Sequence, residues 1–111
     1  MSINTLSACT WIAACICAKD GVISEVEEQT MFRILDERFP DFNAEYFESA
    51  LTEYFNSNRQ IEDYLALVDD KVLRRFALDL AELSASADGL DVRENIALEK
   101  AYLIWGIKNN A

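Results

Sequence analysis

Two short acidic segments carry the residues best suited to chemistry in this 111-residue chain. Each has an Asp-Gly pair at a helix end, then a capping residue, then a glutamate three positions later: Asp20, Gly21, Ser24 and Glu27 in the first, and Asp88, Gly89, Asp91 and Glu94 in the second. Carboxylates, hydroxyls and backbone carbonyls are the hard oxygen donors that Ca²⁺, Mg²⁺ and Mn²⁺ prefer. Neither segment has the ligand spacing of an EF-hand loop. A divalent-cation site is therefore predicted between the two turns, provided that they meet at one end of the fold.

A structural role explains part of the same pattern. The glycines of both pairs are predicted to be left-handed C′ residues, and each glutamate completes a capping box with its N-cap, Ser24 or Asp91. This reading leaves Asp20 and Asp88 unexplained, because an acid at a helix C-terminus faces the negative end of the macrodipole, at a cost of roughly 0.3–1 kcal/mol. A counter-ion is expected near them, either a bound cation or an arginine from elsewhere in the fold.

Helices must position these segments, because the apolar residues recur at helical spacing and alternating strand patterns are lacking. The six predicted helices are Asn4 to Lys19, which is apolar on most faces; one from Ser24 that Pro40 ends; one capped by Asn43; a short one from Ile61 to Val68; one capped by Asp69; and one capped by Asp91. The sequence predicts an all-α fold, a compact bundle of about six helices with two pseudo-repeated helix–turn–helix units, in a single domain of residues 1–111.

The same periodicity predicts which side chains are buried. In the third helix the predicted apolar face is Tyr46, Phe47, Ala50, Leu51, Tyr54 and Phe55. In the fifth helix it is Val72, Leu73, Phe76, Leu80, Leu83 and Ala87. In the sixth it is Ile96, Leu98, Ala101, Leu103, Ile104, Trp105 and Ile107.

At the two acidic segments the sequence resembles the tellurite-resistance TerB family and the related N-terminal domain of DjlA-type membrane co-chaperones. The resemblance rests on Ala18, Asp20, Gly21, Ile23, Ser24 and Glu27 in the first segment and on Ala87, Asp88, Gly89, Asp91 and Glu94 in the second. It implies an all-helical module with two pseudo-symmetric halves and a role in stress response or defence, of which tellurite resistance is one example. It also implies divalent-cation binding by Asp20, Glu27, Asp88 and Glu94, with Asp91 acting either as a further ligand or only as a cap.

Composition excludes several classes of function. Twenty acids against ten bases give a net charge of −10, so nucleic acid and anionic membranes are not expected partners. The absence of histidine removes Ser-His-Asp and Cys-His catalysis and His-ligated zinc. Three glycines and one proline leave no Gly-rich phosphate loop. We therefore expect no organic cofactor and no enzymatic activity, although paired carboxylates are able to perform acid–base chemistry.

The three cysteines lie in the first predicted helix, at positions 9, 15 and 17. An odd number so closely spaced is not a disulfide framework, and reduced, buried thiols in a cytoplasmic protein are predicted. The apolar run from Leu6 to Ala18 is too short to span a bilayer, and Met1 to Thr5 lacks the basic residues of a signal peptide. A buried core helix without membrane insertion is expected.

Two classes of function remain. The first is a TerB-like module that binds a divalent cation and acts as an adaptor for a basic or membrane-associated stress protein. The second is a metal-independent acidic interaction module, which in one form mimics nucleic acid and occupies a basic groove. Residues 1–56 hold three bases and ten acids, and residues 57–111 hold seven bases and ten acids, so the negative charge is concentrated in the first half. That asymmetry is typical either of a directed acidic face or of ordinary solvated acids.

Overall fold

The helices form where the sequence predicts them. The computed structural model describes residues 3–18 and 22–107, with side chains for 6–18, 22–87 and 89–107. In these ranges the chain forms α1 (Ile3–Cys17), α2 (Glu25–Arg38), α3 (Ala44–Phe55), α4 (Ile61–Leu65), α5 (Lys71–Ala85) and α6 (Val92–Trp105), with a 3₁₀ turn at Ser86–Asp88. The described ranges contain no strand, so the all-α bundle of six helices is confirmed.

The first helix, α1, is the centre of the core because it is apolar all round. Its residues that are at most 1% exposed are Ala8, Cys9, Thr10, Ile12, Ala13, Ala14, Ile16 and Cys17. The one hydroxyl among them is satisfied locally, since Thr10 Oγ1 donates to the carbonyl of Leu6 at 3.0 Å. Helices α3, α4 and α5 all pack directly on α1, and α6 and α2 also contact it. The predicted buried core helix is confirmed.

The packing of α2 positions the two acidic segments. Helix α2 buries Met31 and Leu35 completely and lies along α5, with the 3₁₀ turn also packed against it. Phe39 and Phe76 also belong to this contact, and their rings meet edge to face with centroids 5.4 Å apart. Helix α2 ends at Arg38, before Pro40, as expected from the restriction that proline places on the preceding residue. Through these contacts α2 lies beside both α5 and the 3₁₀ turn that precedes α6 in the chain.

One predicted helix cap is wrong by one residue. Asp70, not Asp69, caps α5, and its Oδ1 accepts from the backbone N–H groups of Val72 at 2.8 Å and Leu73 at 3.1 Å. Asp69 lies one residue too early to reach these donors. Its carboxylate instead lies 4.0 Å from the guanidinium of Arg74.

Several residues predicted to be buried are exposed. They are Phe55 at 52%, Val72 at 65%, Leu83 at 56%, Ile96 at 59%, Leu103 at 82% and Ile104 at 46%, and Ala87 is exposed as well. The face of α5 that is buried contains Ala77, Ala81 and Ala85 instead. Small residues let α5 approach α1 closely, and this approach turns the large side chains at 72 and 83 outward. In α6 the buried residues are likewise Ala97, Leu98, Ala101 and Tyr102.

The glycines end their helices in two different ways. Gly106 has the left-handed conformation (φ 65°, ψ 30°), and the N–H of Ile107 donates to the carbonyl of Tyr102. Gly89 closes the 3₁₀ turn with φ 97° and ψ 116°, so the left-handed conformation predicted for it is wrong, although its φ is positive. Gly21 lies outside the described residues.

The cysteines are buried thiols, as predicted. Cys9 is fully buried, and this burial raises the pKa of its thiol to about 12. Cys15 is 4% exposed and Cys17 is 1% exposed. The thiol of Cys9 is therefore protonated in the folded chain. None of the described helices is both long enough and apolar enough to cross a bilayer.

Candidate functional site

The first capping box consists of Ser24 and Glu27 at the start of α2. The N–H of Glu27 donates to Ser24 Oγ at 3.1 Å, and the N–H of Ser24 donates to Glu27 Oε1 at 2.9 Å. Both bonds satisfy donors that the first helical turn leaves without a partner. Glu27 is only 4% exposed, because α2 packs its N-terminal turn against the core.

The second capping box consists of Asp91 and Glu94 at the start of α6. The N–H of Glu94 donates to Asp91 Oδ1 at 2.8 Å, and the N–H of Asp91 donates to Glu94 Oε1 at 3.1 Å. Glu94 is 5% exposed. The capping boxes predicted from the sequence are thus both present, and each holds its glutamate by one carboxylate oxygen.

The two boxes meet through their glutamates, since the side chains of Glu27 and Glu94 are hydrogen-bonded to each other. Two buried carboxylates in contact repel each other when both are ionised, and this repulsion favours the protonated form of Glu94. Burial is the main cause that raises the pKa of Glu94 from 4.5 to about 7, and the hydrogen bond to Glu27 adds to it. The backbone N–H of Asp91 opposes this rise, and the negative charges of Glu27 and Asp91 reinforce it.

The surroundings of the pair supply partial positive charge but no salt bridge. Glu27 and Glu94 are both third residues of their helices, where the N-terminal end of the macrodipole favours a negative side chain. The ion pairs among the described residues join Arg74 to Asp69, Arg75 to Asp79 and Lys100 to Glu62, and none reaches the pair.

The remaining predicted ligands are distributed as follows. Asp91 Oδ1 is used as the N-cap of α6. Asp88 ends the 3₁₀ turn that packs against α2, and its side chain is not among those described. Asp20 lies outside the described residues. Among the described side chains no group of three acids or cysteines is arranged to hold a metal ion.

The chemistry of the pair fits a hard cation. Each glutamate has one oxygen, Oε1, that accepts from a backbone N–H, and the two side chains are in contact. Ionised carboxylates in this position would supply two of the oxygen ligands that Ca²⁺ or Mg²⁺ takes, with carbonyls and waters completing the shell. A metal ion would bind the ionised form of Glu94, so it competes with the proton that the raised pKa favours.

Sequence reasoning named both glutamates but missed that they are in contact and that the pKa of Glu94 is raised. The missing information is burial, since an isolated capping box at a helix start is equally compatible with an exposed N3 glutamate. One signal was available, because Met31 and Leu35 continue the helical face of Glu27 at four-residue steps, and both are buried.

Apolar side chains remain exposed around the pair. Val22 is 64% exposed, Val26 is 47% exposed and Leu90 is 38% exposed, and all three belong to the two turns or the helix start that follows. Val26 also lines a groove of about 490 Å³ between α2 and α5, together with Ile34 and Leu83. The buried carboxylates are therefore flanked by a partly apolar surface.

Comparisons of this chain with protein-family models, with curated proteins and with solved structures find no match.

Proposed function

We propose that this chain is a small, acidic, TerB-like helical module that binds a divalent cation between the two capping boxes and serves as an adaptor in a stress-response or defence assembly. The observation that supports it best is the contact between Glu27 and Glu94, which come from distant parts of the sequence. The glutamates of the two segments that carry the resemblance are therefore neighbours.

In this proposal Glu27 and Glu94 are the central ligands, and Asp20 and Asp88 complete the set from the neighbouring turns. Asp91 serves as the cap of α6 and stabilises the site without binding the ion. Glu94 loses its proton when the cation binds, so affinity rises with pH through the raised pKa of this group. The bound cation supplies the positive charge that the buried pair lacks.

The adaptor role is supported by the surface around the site. A net charge of −10 makes a basic protein surface the expected partner, and the exposed Val22, Val26 and Leu83 offer apolar contact beside the acids. In this proposal the protein is not an enzyme and acts in the cytoplasm, where reducing conditions suit its buried thiols.

A metal-independent acidic interaction module is the second candidate. The observation that favours it is the raised pKa of Glu94, because a protonated Glu94 satisfies the pair with no metal. In that case the capping boxes only hold two helix starts together, and the acidic surface alone recognises a basic partner, as a nucleic-acid mimic would.

Thermal unfolding of chelator-treated protein with and without millimolar Ca²⁺, Mg²⁺ or Mn²⁺ separates the two candidates. A cation at 100 times its Kd adds about 2.7 kcal/mol, which raises Tm by several degrees in a chain of this size. Glu27→Gln and Glu94→Gln, which keep the shape of the boxes, and the double variant Asp20→Asn with Asp88→Asn should each lose the shift.

The matched control is Glu99→Gln, which removes an exposed acid from α6 and should keep the full shift. An unchanged Tm in every ion would favour the metal-independent module. A shift that survives in all the site variants would assign it to general screening of the acidic charge.

A further inference from the structure

A second acidic feature begins on the same first turn of α2 and lines a groove of about 340 Å³ between α2 and α3. Residues at helical spacing form its walls, and those that matter here are Glu25, Glu28 and Phe32 from α2 and Phe47 and Glu48 from α3. Helix α2 packs mainly on α5, whereas α3 packs on α1, so the two helices diverge and leave the space between them open.

The floor of the groove is aromatic and firmly supported. The rings of Phe32 and Phe47 meet edge to face with centroids 5.5 Å apart. The ring of Phe42 contacts both of them, with its centroid 5.2 Å from that of Phe32 and 5.7 Å from that of Phe47. Phe47 is 3% exposed, while Phe32 is only half-buried and presents part of its ring to the groove. The floor is thus a preformed aromatic surface.

The rim of the groove is acidic. Glu25, Glu28 and Glu48 are all exposed, and no ion pair of the described residues involves them. The one polar contact among them is from Gln29 Nε2, which donates to Glu25 Oε1 at 3.2 Å. No lysine or arginine is among the residues that line the groove in the described part of the chain.

Three carboxylates around an aromatic floor complement one chemistry, a cationic side chain with an apolar stem. The guanidinium or ammonium group is attracted both by the carboxylates and by the face of a phenylalanine ring, and the methylene groups of the stem cover apolar surface. The same carboxylates repel nucleic acid and acidic peptides. A second copy of this chain is also disfavoured, since it carries the same net charge of −10.

We propose that the groove between α2 and α3 is the docking site for a basic segment of a partner protein, which inserts an arginine or lysine side chain against Phe32 between Glu25, Glu28 and Glu48. This inference rests on the adaptor part of the proposed function and gives its partner a chemical class. It does not depend on the cation site, because none of the groove residues named here belongs to a capping box.

The test is an NMR titration of isotope-labelled protein in chelator at about 0.15 M salt, where exposed long-range charge effects are largely screened. The probe is a capped peptide of arginine, leucine and alanine, and its control carries glutamate in place of every arginine. The expected result is saturable binding of the arginine peptide alone, with amide shifts concentrated in residues 25–32 and 44–48.

Matched variants distinguish the groove from the general acidic surface. The triple variant Glu25→Gln, Glu28→Gln, Glu48→Gln should weaken binding about tenfold, the combined effect of three exposed charge pairs. The control triple variant Asp36→Asn, Asp41→Asn, Glu99→Gln removes the same charge from exposed sites elsewhere and should change affinity less than about twofold. Phe32→Leu keeps an apolar floor without the ring and should weaken binding about threefold.

Three results would overturn the inference: equal weakening by both triple variants, shifts that map outside the groove, or no binding of the arginine peptide. Self-association of the wild-type chain that the groove variant abolishes would assign the groove to a second copy and overturn it too. The use of chelator keeps this experiment separate from the cation test. A negative peptide titration therefore does not contradict a cation-dependent Tm shift, and an unchanged Tm does not contradict peptide binding in the groove.

Discussion

The two capping boxes have the same hydrogen-bonding pattern but differ in charge. In the first box the N-cap is the neutral Ser24, whereas in the second it is Asp91, itself an acid. The negative charge of Asp91 is one of the causes that raise the pKa of Glu94. Two motifs with the same hydrogen bonds thus place different charges beside their glutamates, which shows that a capping box is also an electrostatic environment.

The largest expected effect comes from removing the titrating group of the second box. The raised pKa of Glu94 contributes stability that is fully present below its ordinary value of 4.5 and is lost as pH rises through about 7. Wild-type stability should therefore fall from pH 4.5 to pH 8, with up to roughly 3 kcal/mol of that fall due to this group.

Glu94→Gln should remove that part of the pH dependence and stabilise the fold at pH 8, because an amide accepts from Asp91 N–H and donates to Glu27 without charge. Chemical denaturation of both proteins across this pH range measures the difference. A variant with the same pH profile as wild type would mean that Glu94 does not titrate in this window.

The next effect concerns the backbone of the second turn. Gly89 has φ 97°, and a Cβ built there meets nothing within 4 Å, so Gly89→Ala tests the backbone conformation without a steric clash. We expect a loss of about 1–2 kcal/mol, since a residue with a side chain rarely adopts this conformation. Gly106→Ala, at the left-handed end of α6, is the matched comparison and should lose about 1 kcal/mol by the same denaturation measurement.

The third prediction weakens the first box alone. Ser24→Ala removes the acceptor of the Glu27 N–H and should cost about 1 kcal/mol of stability at every pH, because no charge is involved. Ser24→Asp retains the acceptor and should be close to wild type at pH 5. A loss that varies strongly with pH in the alanine variant would contradict the proposed neutral role of this cap.

The smallest effect comes from making the boxes alike. Asp91→Ser keeps an N-cap acceptor for the Glu94 N–H and removes the neighbouring negative charge. The pKa of Glu94, followed by NMR of its side-chain carboxyl carbon, should fall while remaining above 4.5, because burial and Glu27 still act on it. The gain in stability at pH 8 should be a few tenths of a kcal/mol. A rise in this pKa would be the opposite of the expected result.

Local rules predicted the helices and both capping boxes, since helical periodicity and N-cap chemistry depend on nearby residues. They failed where two adjacent residues are equally suited to the same role, as Asp69 and Asp70 are to the N-cap of α5. They also failed where a helix has more apolar residues than one face can bury, as with Val72, Leu83 and Leu103, because the choice of face depends on the neighbouring helix.

The candidate site was only partly predictable for the same reason. The glutamates were identified individually, but their contact depends on how α2 lies along α5. The groove between α2 and α3 was not predicted, although Glu25, Glu28 and Phe32 follow helical spacing. Phe47 was predicted only as a buried residue of the third helix, and the open space beside it depends on how two helices pack.

The burial of the thiols in α1 makes the rate of their alkylation a measure of how often the fold opens. Cys9 is fully enclosed at the centre of the bundle, so an alkylating reagent reaches it only when α1 leaves the core. When reclosing is faster than alkylation, the labelling rate is the reagent's intrinsic rate multiplied by the opening equilibrium constant. Mass spectrometry of the labelled chain then gives the free energy of opening in native buffer without denaturant. A ligand that binds only the closed form lowers the labelling rate in proportion to the fraction of the protein it occupies.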